Sequence, residues 1–217
     1  MRFRKVLFDC DGVVVDSERL SNTVLRDDLA ERGLDLPLRD IMDLFVGGTI
    51  EGAGREAAKR GAQIPDTWLS EVYAKIYDLL SREVTLIPGI TEVLDALDAA
   101  GIPYAMGSNG SVEKMQITLG KTGLLERFEG RLYSGQELGA PKPAPDVYLK
   151  AAGDVPASAC VVIEDSASGA KAAKAAGMAC FGFTYDTEPA RLDGLVTEMF
   201  DDMAHLPAML GLTKAVK

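Results

Sequence analysis

Five short apolar runs, at 5–9, 103–107, 131–134, 160–164 and 179–183, have the length and composition of buried strands. Helical patterns fall between them. The stretch 90–97 places apolar residues at i, i+3, i+4 and i+7 and stops at Gly101, and 112–119 repeats the pattern ahead of Gly120 and Gly123. The stretch 145–152 opens on proline and stops at Gly153; 166–176 opens on a serine cap and stops at Gly177. Strands alternating with such helices build right-handed βαβ units around a parallel sheet. The expected fold is α/β, a doubly wound parallel sheet. The alanine-rich stretch 167–176 reads as a helix lying close on that sheet, with Gly169 permitting the approach.

One interval breaks the alternation. Between the first and second strands, helical periodicity runs through 17–32, 38–45, 49–60 and 66–82 with no strand among them. A simple crossover needs only about a dozen residues, so this insert is expected to be a small all-helical cap domain over 17–84. The catalytic core would comprise 1–16 and 85–217, with hinges at 14–16 and 85–89. Trp68, Tyr73 and Tyr77, at helical spacing, read as cap core.

The bulk properties narrow the class of partner. A chain of 217 residues that is 47 % hydrophobic can bury a substantial core. Its net charge of −10, with no Lys/Arg-rich block, argues against a nucleic-acid partner, since backbone phosphates are held mainly by Lys and Arg. A small phosphate ester is not excluded, because a bound divalent cation can invert the local charge. The apolar run after Met1-Arg2-Phe3-Arg4-Lys5 ends at Phe8, too short for a signal sequence. No stretch approaches the ~18 apolar residues of a membrane span. A cytoplasmic monomer that binds no membrane is the expectation. The three cysteines form no pair with metal-ligand spacing and read as buried hydrophobes. The single histidine, His205, has no candidate serine elbow near it, which argues against a Ser/His/Asp triad.

Four segments carry the chemistry. Asp9-Cys10-Asp11-Gly12 follows the first apolar run, Ser108-Asn109 the second and Glu164-Asp165 the fourth, while Lys142 sits in a loop stiffened by Pro141, Pro143 and Pro145. Open parallel sheets bind ligands at the C-terminal ends of their strands. In an extended chain Asp9 and Asp11 share a face and Cys10 points the other way. One aspartate could attack phosphorus and the other could move protons, but Asp-x-Asp-Gly also occurs in capped turns and calcium sites. Ser108-Asn109 could bind an anion at a helix N-terminus or be an ordinary cap. Lys142 could be a fixed cation or a solvated one. Glu164-Asp165, after the most apolar strand, suits a hard cation such as Mg2+, or else caps the following helix.

Taken in order, Asp-x-Asp-Gly-Val, Ser-Asn, Lys-Pro-x-Pro-Asp-x-Tyr and Ile-Glu-Asp-Ser, with a helical insert after the first, resemble the haloacid dehalogenase superfamily over nearly the whole chain. The segment from Phe8 to Glu18 is similar to the branch that holds β-phosphoglucomutases and small sugar-phosphate phosphatases. Ser108-Asn109-Gly110, Lys114-Met115-Gln116 and Leu132-Tyr133-Ser134-Gly135 resemble bacterial 6-phosphogluconate phosphatases more narrowly. The resemblance implies a Mg2+-dependent phosphatase acting on a small-molecule phosphate ester, a sugar or sugar-acid phosphate such as 6-phosphogluconate. Asp9 would be the nucleophile and a metal ligand, and Asp11 the general acid/base with its carbonyl on the metal. Ser108, Asn109 and Lys142 would bind the phosphoryl group. Asp165 would hold Mg2+ directly, and Glu164 directly or through water.

Departures from the family pattern bear on the reaction. True dehalogenases lack the second aspartate. Phosphoglucomutases carry a cap histidine where this chain has Ser21, and a cap arginine where it has Gly47-Gly48-Thr49-Ile50. Both losses favour hydrolysis over the alternative, a phosphoglucomutase-type phosphotransferase. Specificity is expected from cap residues such as Glu18, Ser21, Gly47, Gly48 and Thr49. A receiver-like signalling domain uses similar groups, but it places its acidic pair after the first strand, its phosphoacceptor on a middle strand, and has no helical insert.

Overall fold

The computed structural model describes residues 3–45 and 49–212; Gly47 and Gly48, named above as cap residues, lie outside them. The chain begins with β1 (Lys5–Phe8). A two-residue strand, β2 (Val15–Asp16), leads to four helices: α1 (Glu18–Glu31), α2 (Leu38–Phe45), α3 (Ile50–Lys59) and α4 (Trp68–Glu83). After β3 (Thr85–Leu86), helices and strands alternate as α5 (Ile90–Ala99), β4 (Tyr104–Ser108), α6 (Val112–Thr122), β5 (Leu132–Ser134), α7 (Asp146–Ala152), β6 (Cys160–Glu164), α8 (Ala167–Ala175) and β7 (Ala179–Phe183). An edge strand β8 (Glu198–Phe200) and the short α9 (Leu206–Met209) follow. The chain divides into two compact units, Met1–Val15 with Leu86–Lys217, and Asp16–Thr85. Among the described residues, no helix is long and apolar enough to cross a membrane.

In the first unit six strands make one parallel sheet in the order β5-β4-β1-β6-β7-β8. β4 and β6 are buried along their whole length, as strands covered on both faces must be. On one face Leu7, Ala105, Val162 and Cys180 pack with Val147, Tyr148 and Ala151 of α7 and the small residues Ala170, Ala172 and Ala173 of α8. Alternation sends Phe8 and Tyr104 to the other face, where their rings meet edge-on at 6.3 Å and Tyr104 meets Phe128 at 5.2 Å. β1 lies between β4 and β6; the chain runs outward on one side through β4 to β5, then crosses to β6 on the other side and continues outward to β7 and β8. That reversal of strand order marks where a sheet of this kind opens a crevice at its C-terminal edge.

The strands expected from the apolar runs are present. β8 was not expected. It has three residues, of which Phe200 alone is buried, too few to show a period of two. The helix expected from Pro145 starts one residue later, at Asp146.

The second unit is built on α1 and α4, whose buried residues include Leu25 and Leu29 on one helix and Val72, Ile76 and Leu80 on the other. Trp68 is core, as expected, and a Cβ added at Gly54 would stand 2.3 Å from its ring, so α3 can approach only as glycine. Asp28, its side chain 0 % exposed, accepts hydrogen bonds from Trp68 Nε1 (2.6 Å), Arg32 Nε (2.8 Å) and Lys75 Nζ (2.7 Å). Burial works to raise the Asp28 pKa, but those donors outweigh it and hold the carboxyl below its ordinary value.

A carboxylate with three donors around it ties α1 to α4; its removal leaves a buried indole N–H without its acceptor, while Arg32 keeps Glu71 and the half-exposed Lys75 keeps Glu31 and solvent. Asp28→Ala is expected to lower stability by about 2 kcal/mol, the scale for leaving a buried donor unsatisfied. Urea unfolding followed by Trp68 fluorescence checks this, and a loss within error of zero would reject the anchoring role.

Candidate active site

Asp9, Ser108 and Glu164 each end or directly follow a strand, while Lys142 comes from the loop after β5. Beyond Phe8 the ladder continues for one bond, as the Asp9 N–H donates to the Ile163 carbonyl at 3.0 Å. The chain then turns sharply. Val14 and Val15 N–H groups both donate to the Cys10 carbonyl, and Gly12, at φ +76°, donates to the Val15 carbonyl. Cys10 points away from the acids, with its Sγ 4.0 Å from Thr118 Oγ1, and burial pushes its thiol well above the ordinary value. It is a poor nucleophile, as its strand parity implied.

The structure gathers the expected residues at the C-terminal ends of β1, β4 and β6. Lys142 lies at the centre. Its Nζ donates to Asp9 Oδ1 at 2.8 Å and to Glu164 Oε1 at 2.6 Å, and sits 4.8 Å from the Tyr148 ring centroid. Ser108 is buried at the end of β4, and its Oγ accepts from the Gly110 N–H at 2.9 Å. Asn109 turns its side chain to the loop, where Oδ1 accepts from the Lys142 N–H (2.7 Å) and Nδ2 donates to the Lys142 carbonyl (3.3 Å). Its amide therefore fixes the backbone that carries the lysine.

Glu164 is fully occupied. Oε1 accepts from Lys142 Nζ and from the Tyr148 hydroxyl (2.8 Å), and Oε2 accepts from both the Ser166 N–H and its hydroxyl (2.9 Å each). Four donors use the four lone-pair sites of a carboxylate. A Cβ at Gly169 would stand 1.6 Å from Oε1. This glycine makes room for a carboxylate as well as bringing α8 close to the sheet, which the sequence pattern had suggested.

Oxygens of Asp9, Glu164 and Asp165 lie within 4.8 Å of one another. Asp165 Oδ2 rests against the turn, 2.2 Å from where a Gly12 Cβ would be. Lys142 is a single cation among three buried carboxylates, and with the lone pairs of Glu164 taken, the oxygens of Asp9 and Asp165 are those that suit a hard divalent cation. The donor set fits the ion the sequence implied.

The electrostatics agree. Burial pushes the Asp9 carboxyl up to about 7; the Lys142 charge pulls it down, and Glu164 and Asp11 push it further up. Burial works to lower Lys142, but the charges of Asp9 and Glu164 and their hydrogen bonds raise it above an ordinary lysine.

The match to haloacid dehalogenase-like hydrolases spans residues 3–177, most of the chain and every residue of this site. The chain belongs to that hydrolase family. Within it, the chain is 30 % identical over 212 residues to the 6-phosphogluconate phosphatase of Escherichia coli, covering 96 % of this chain and 95 % of that one. A solved family hydrolase from Deinococcus radiodurans, with bound phosphate and sodium, is 35 % identical with a TM-score of 0.81 and covers 98 % of each chain. A family protein from Agrobacterium tumefaciens gives 31 % and 0.83, with 96 % and 98 % covered. Membership in the family sets aside the receiver-like alternative.

Tyr148 and Lys114 stand inside motifs quoted above, but no role attaches to either from the sequence. Tyr148 donates to Glu164, and Lys114 Nζ donates to Asp11 Oδ1 at 2.7 Å. Each lies on a helix where its spacing suits packing or solvation equally well. Of the cap residues, Thr49 is exposed and caps α3 by accepting from the Gly52 N–H, Glu18 opens α1, and the Ser21 Oγ is buried without a hydrogen-bond partner. His205 is exposed near Asp201.

The raised Asp9 carboxyl has a consequence for stability. Without metal, the native state keeps the Asp9 proton up to about pH 7, whereas an unfolded chain releases it near pH ~4. Between these values the native state binds more protons, so this group's contribution to stability falls as pH rises. The melting temperature of chelator-treated protein should fall more steeply from pH 5 to pH 8 than that of Asp9→Asn. Parallel slopes would show that Asp9 is not held protonated by burial.

Proposed function

We propose that the chain is a phosphomonoesterase that uses Mg2+ to hydrolyse small phosphate esters, sugar or sugar-acid phosphates such as 6-phosphogluconate, through an aspartyl phosphate on Asp9. The observation that carries this reading is the buried contact of Asp9 with Lys142, two residues before a second aspartate and within reach of the acidic cluster. The full-length similarity to a 6-phosphogluconate phosphatase supports the substrate class.

Ser108, Lys142 and the main-chain N–H of Asn109 would bind the phosphoryl oxygens, since the Asn109 side chain is already engaged. An Asp9 oxygen attacks phosphorus, the bond to the ester oxygen breaks, and Asp11 gives that oxygen its proton. Asp11, now ionised, takes a proton from water as the water oxygen attacks the same phosphorus. The bond to Asp9 breaks, and inorganic phosphate leaves with the Asp9 carboxylate restored. Asp9, Asp165 and the Asp11 carbonyl would hold the ion, with Glu164 beside them. The bound ion would supply the positive charge that lets a phosphate dianion approach this many acids. Lys142 adds a charge that Glu164 and Asp9 keep in place. The helical unit, 17–84, would act as a cap that selects among substrates. The absence of the mutase histidine at Ser21 favours hydrolysis over phosphoryl return.

Asp9→Asn should lower turnover roughly a thousandfold or more, as loss of a nucleophile does, with an unchanged circular dichroism spectrum. Retention of a tenth of wild-type activity on a panel of phosphorylated metabolites would mean that Asp9 is not the nucleophile. Exhaustive chelation should stop turnover, and added Mg2+ should restore it. Full activity in chelator would remove the ion from the mechanism.

A further inference from the structure

Lys114 is a second cation beside the acids and has no part in the chemistry above. Its Nζ donates to Asp11 Oδ1 at 2.7 Å, and the two side chains are 16 % and 18 % exposed. Lys142 serves Asp9 and Glu164. The two ammonium groups thus divide the acids between them, one on the attacking carboxylate and one on the proton-handling carboxylate.

The mounting of Lys114 is stiff. It lies in the first turn of α6, where its N–H donates to the Ser111 cap hydroxyl at 3.1 Å. Its carbonyl accepts from the Thr118 hydroxyl, also at 3.1 Å. Thr118 is fully buried and touches Cys10, the residue before Asp11. Both peptide groups flanking this lysine are therefore fixed by side chains of its own helix, one of which packs on the strand end that carries the acids.

The stem of Lys114 crosses Gly110. A Cβ there would lie 3.2 Å from Lys114 Cδ, 3.3 Å from Ser108 Oγ and 3.8 Å from Asp11 Oδ2. The two Asp11 oxygens are thus distinguished. Oδ1 is held by Lys114, and Oδ2 is turned to the side of Gly110 and Ser108, where the phosphoryl group binds. An exposed Lys–Asp pair contributes little, largely because two long side chains must be ordered. Here the lysine backbone is already ordered, so the pair can set a direction. Asp11 has use for one, because it must meet first the leaving oxygen and then a water, and a misplaced carboxyl loses much of the effect of acid catalysis.

We propose that Lys114 is a positioning residue for the Asp11 carboxyl, which it holds by Oδ1 so that Oδ2 faces the ester oxygen. The proposal rests on the reading of Asp11 as the acid/base and adds a second residue to it. It makes a demand that a merely structural lysine does not. The defect on removing Lys114 must depend on how much help the leaving group needs.

The test is Lys114→Met, with Lys114→Gln as a second variant should methionine fail to fold. Each is assayed on alkyl phosphates (6-phosphogluconate, glucose 6-phosphate and glycerol 1-phosphate) and on 4-nitrophenyl phosphate. The quantity read is kcat/KM, which reports events up to departure of the alcohol and not the later attack of water. On the alkyl esters it should fall about tenfold or more, a fraction of what acid catalysis supplies, while the nitrophenyl ester, whose leaving group needs no proton, changes little. Lys114→Arg should recover part of the alkyl activity. An equal fall on both classes, or no fall on either, overturns the proposal. If the wild-type protein hydrolyses none of the four esters, the phosphatase reading itself fails, which is a different result from either.

Discussion

A single buried ammonium organises this site. Lys142 Nζ lies between Asp9 and Glu164, and without it two carboxylates would be buried side by side with no cation to face. Charges out of water are tolerated only when paired and fully hydrogen-bonded. The surroundings of Lys142 read as a series of answers to that requirement. Asn109 fixes its backbone, Tyr148 offers its ring face to the ammonium and its hydroxyl to Glu164, and Ser166 takes up the remaining lone pairs of Glu164. Remove the lysine and each of these contacts loses its purpose.

The sheet makes the arrangement possible. Asp9, Ser108 and Glu164 are far apart in sequence, yet they end or follow three adjacent parallel strands, β4, β1 and β6. Parallel register puts all three C-terminal ends on one edge, and the reversal of strand order at β1 leaves that edge open. The apolar runs that form the strands are thus also what positions the chemistry, and the bulk of the core supports three side chains at its rim. The sharp turn at Gly12 completes the group by placing the backbone beside Asp165.

This division explains what could be read from the sequence. Asp9, Asp11, Ser108 and Asp165 each have an ordinary turn or cap reading when taken alone; what marks them is their order along the chain at the ends of successive apolar runs. Lys142 is marked by the prolines around it. Lys114 and Tyr148 fall within motifs of the family resemblance, yet nothing in their spacing gives either a role. A lysine in the first turn of α6 and a tyrosine on the buried face of α7 are what any helix would show, and only the folded register reveals that each reaches a carboxylate. Asn109 could be seen as an anion-binding residue, but its actual hold on the loop at Lys142 depends on a backbone path that spacing does not encode. β8 was missed for a plainer reason, since three residues cannot establish an alternation.

Gly169 sets two goals against each other. In the first turn of an alanine-rich helix, glycine is the residue least suited to helix formation, and alanine in its place would favour the helix by up to about 1 kcal/mol. Every neighbour in α8 makes that exchange look harmless. Yet the added methyl would occupy the space of the Glu164 carboxylate, and through Glu164 it would displace the ammonium on which Asp9 depends. A search for more stable variants guided by helix preference alone would choose this position early, and would exchange the working site for a better helix.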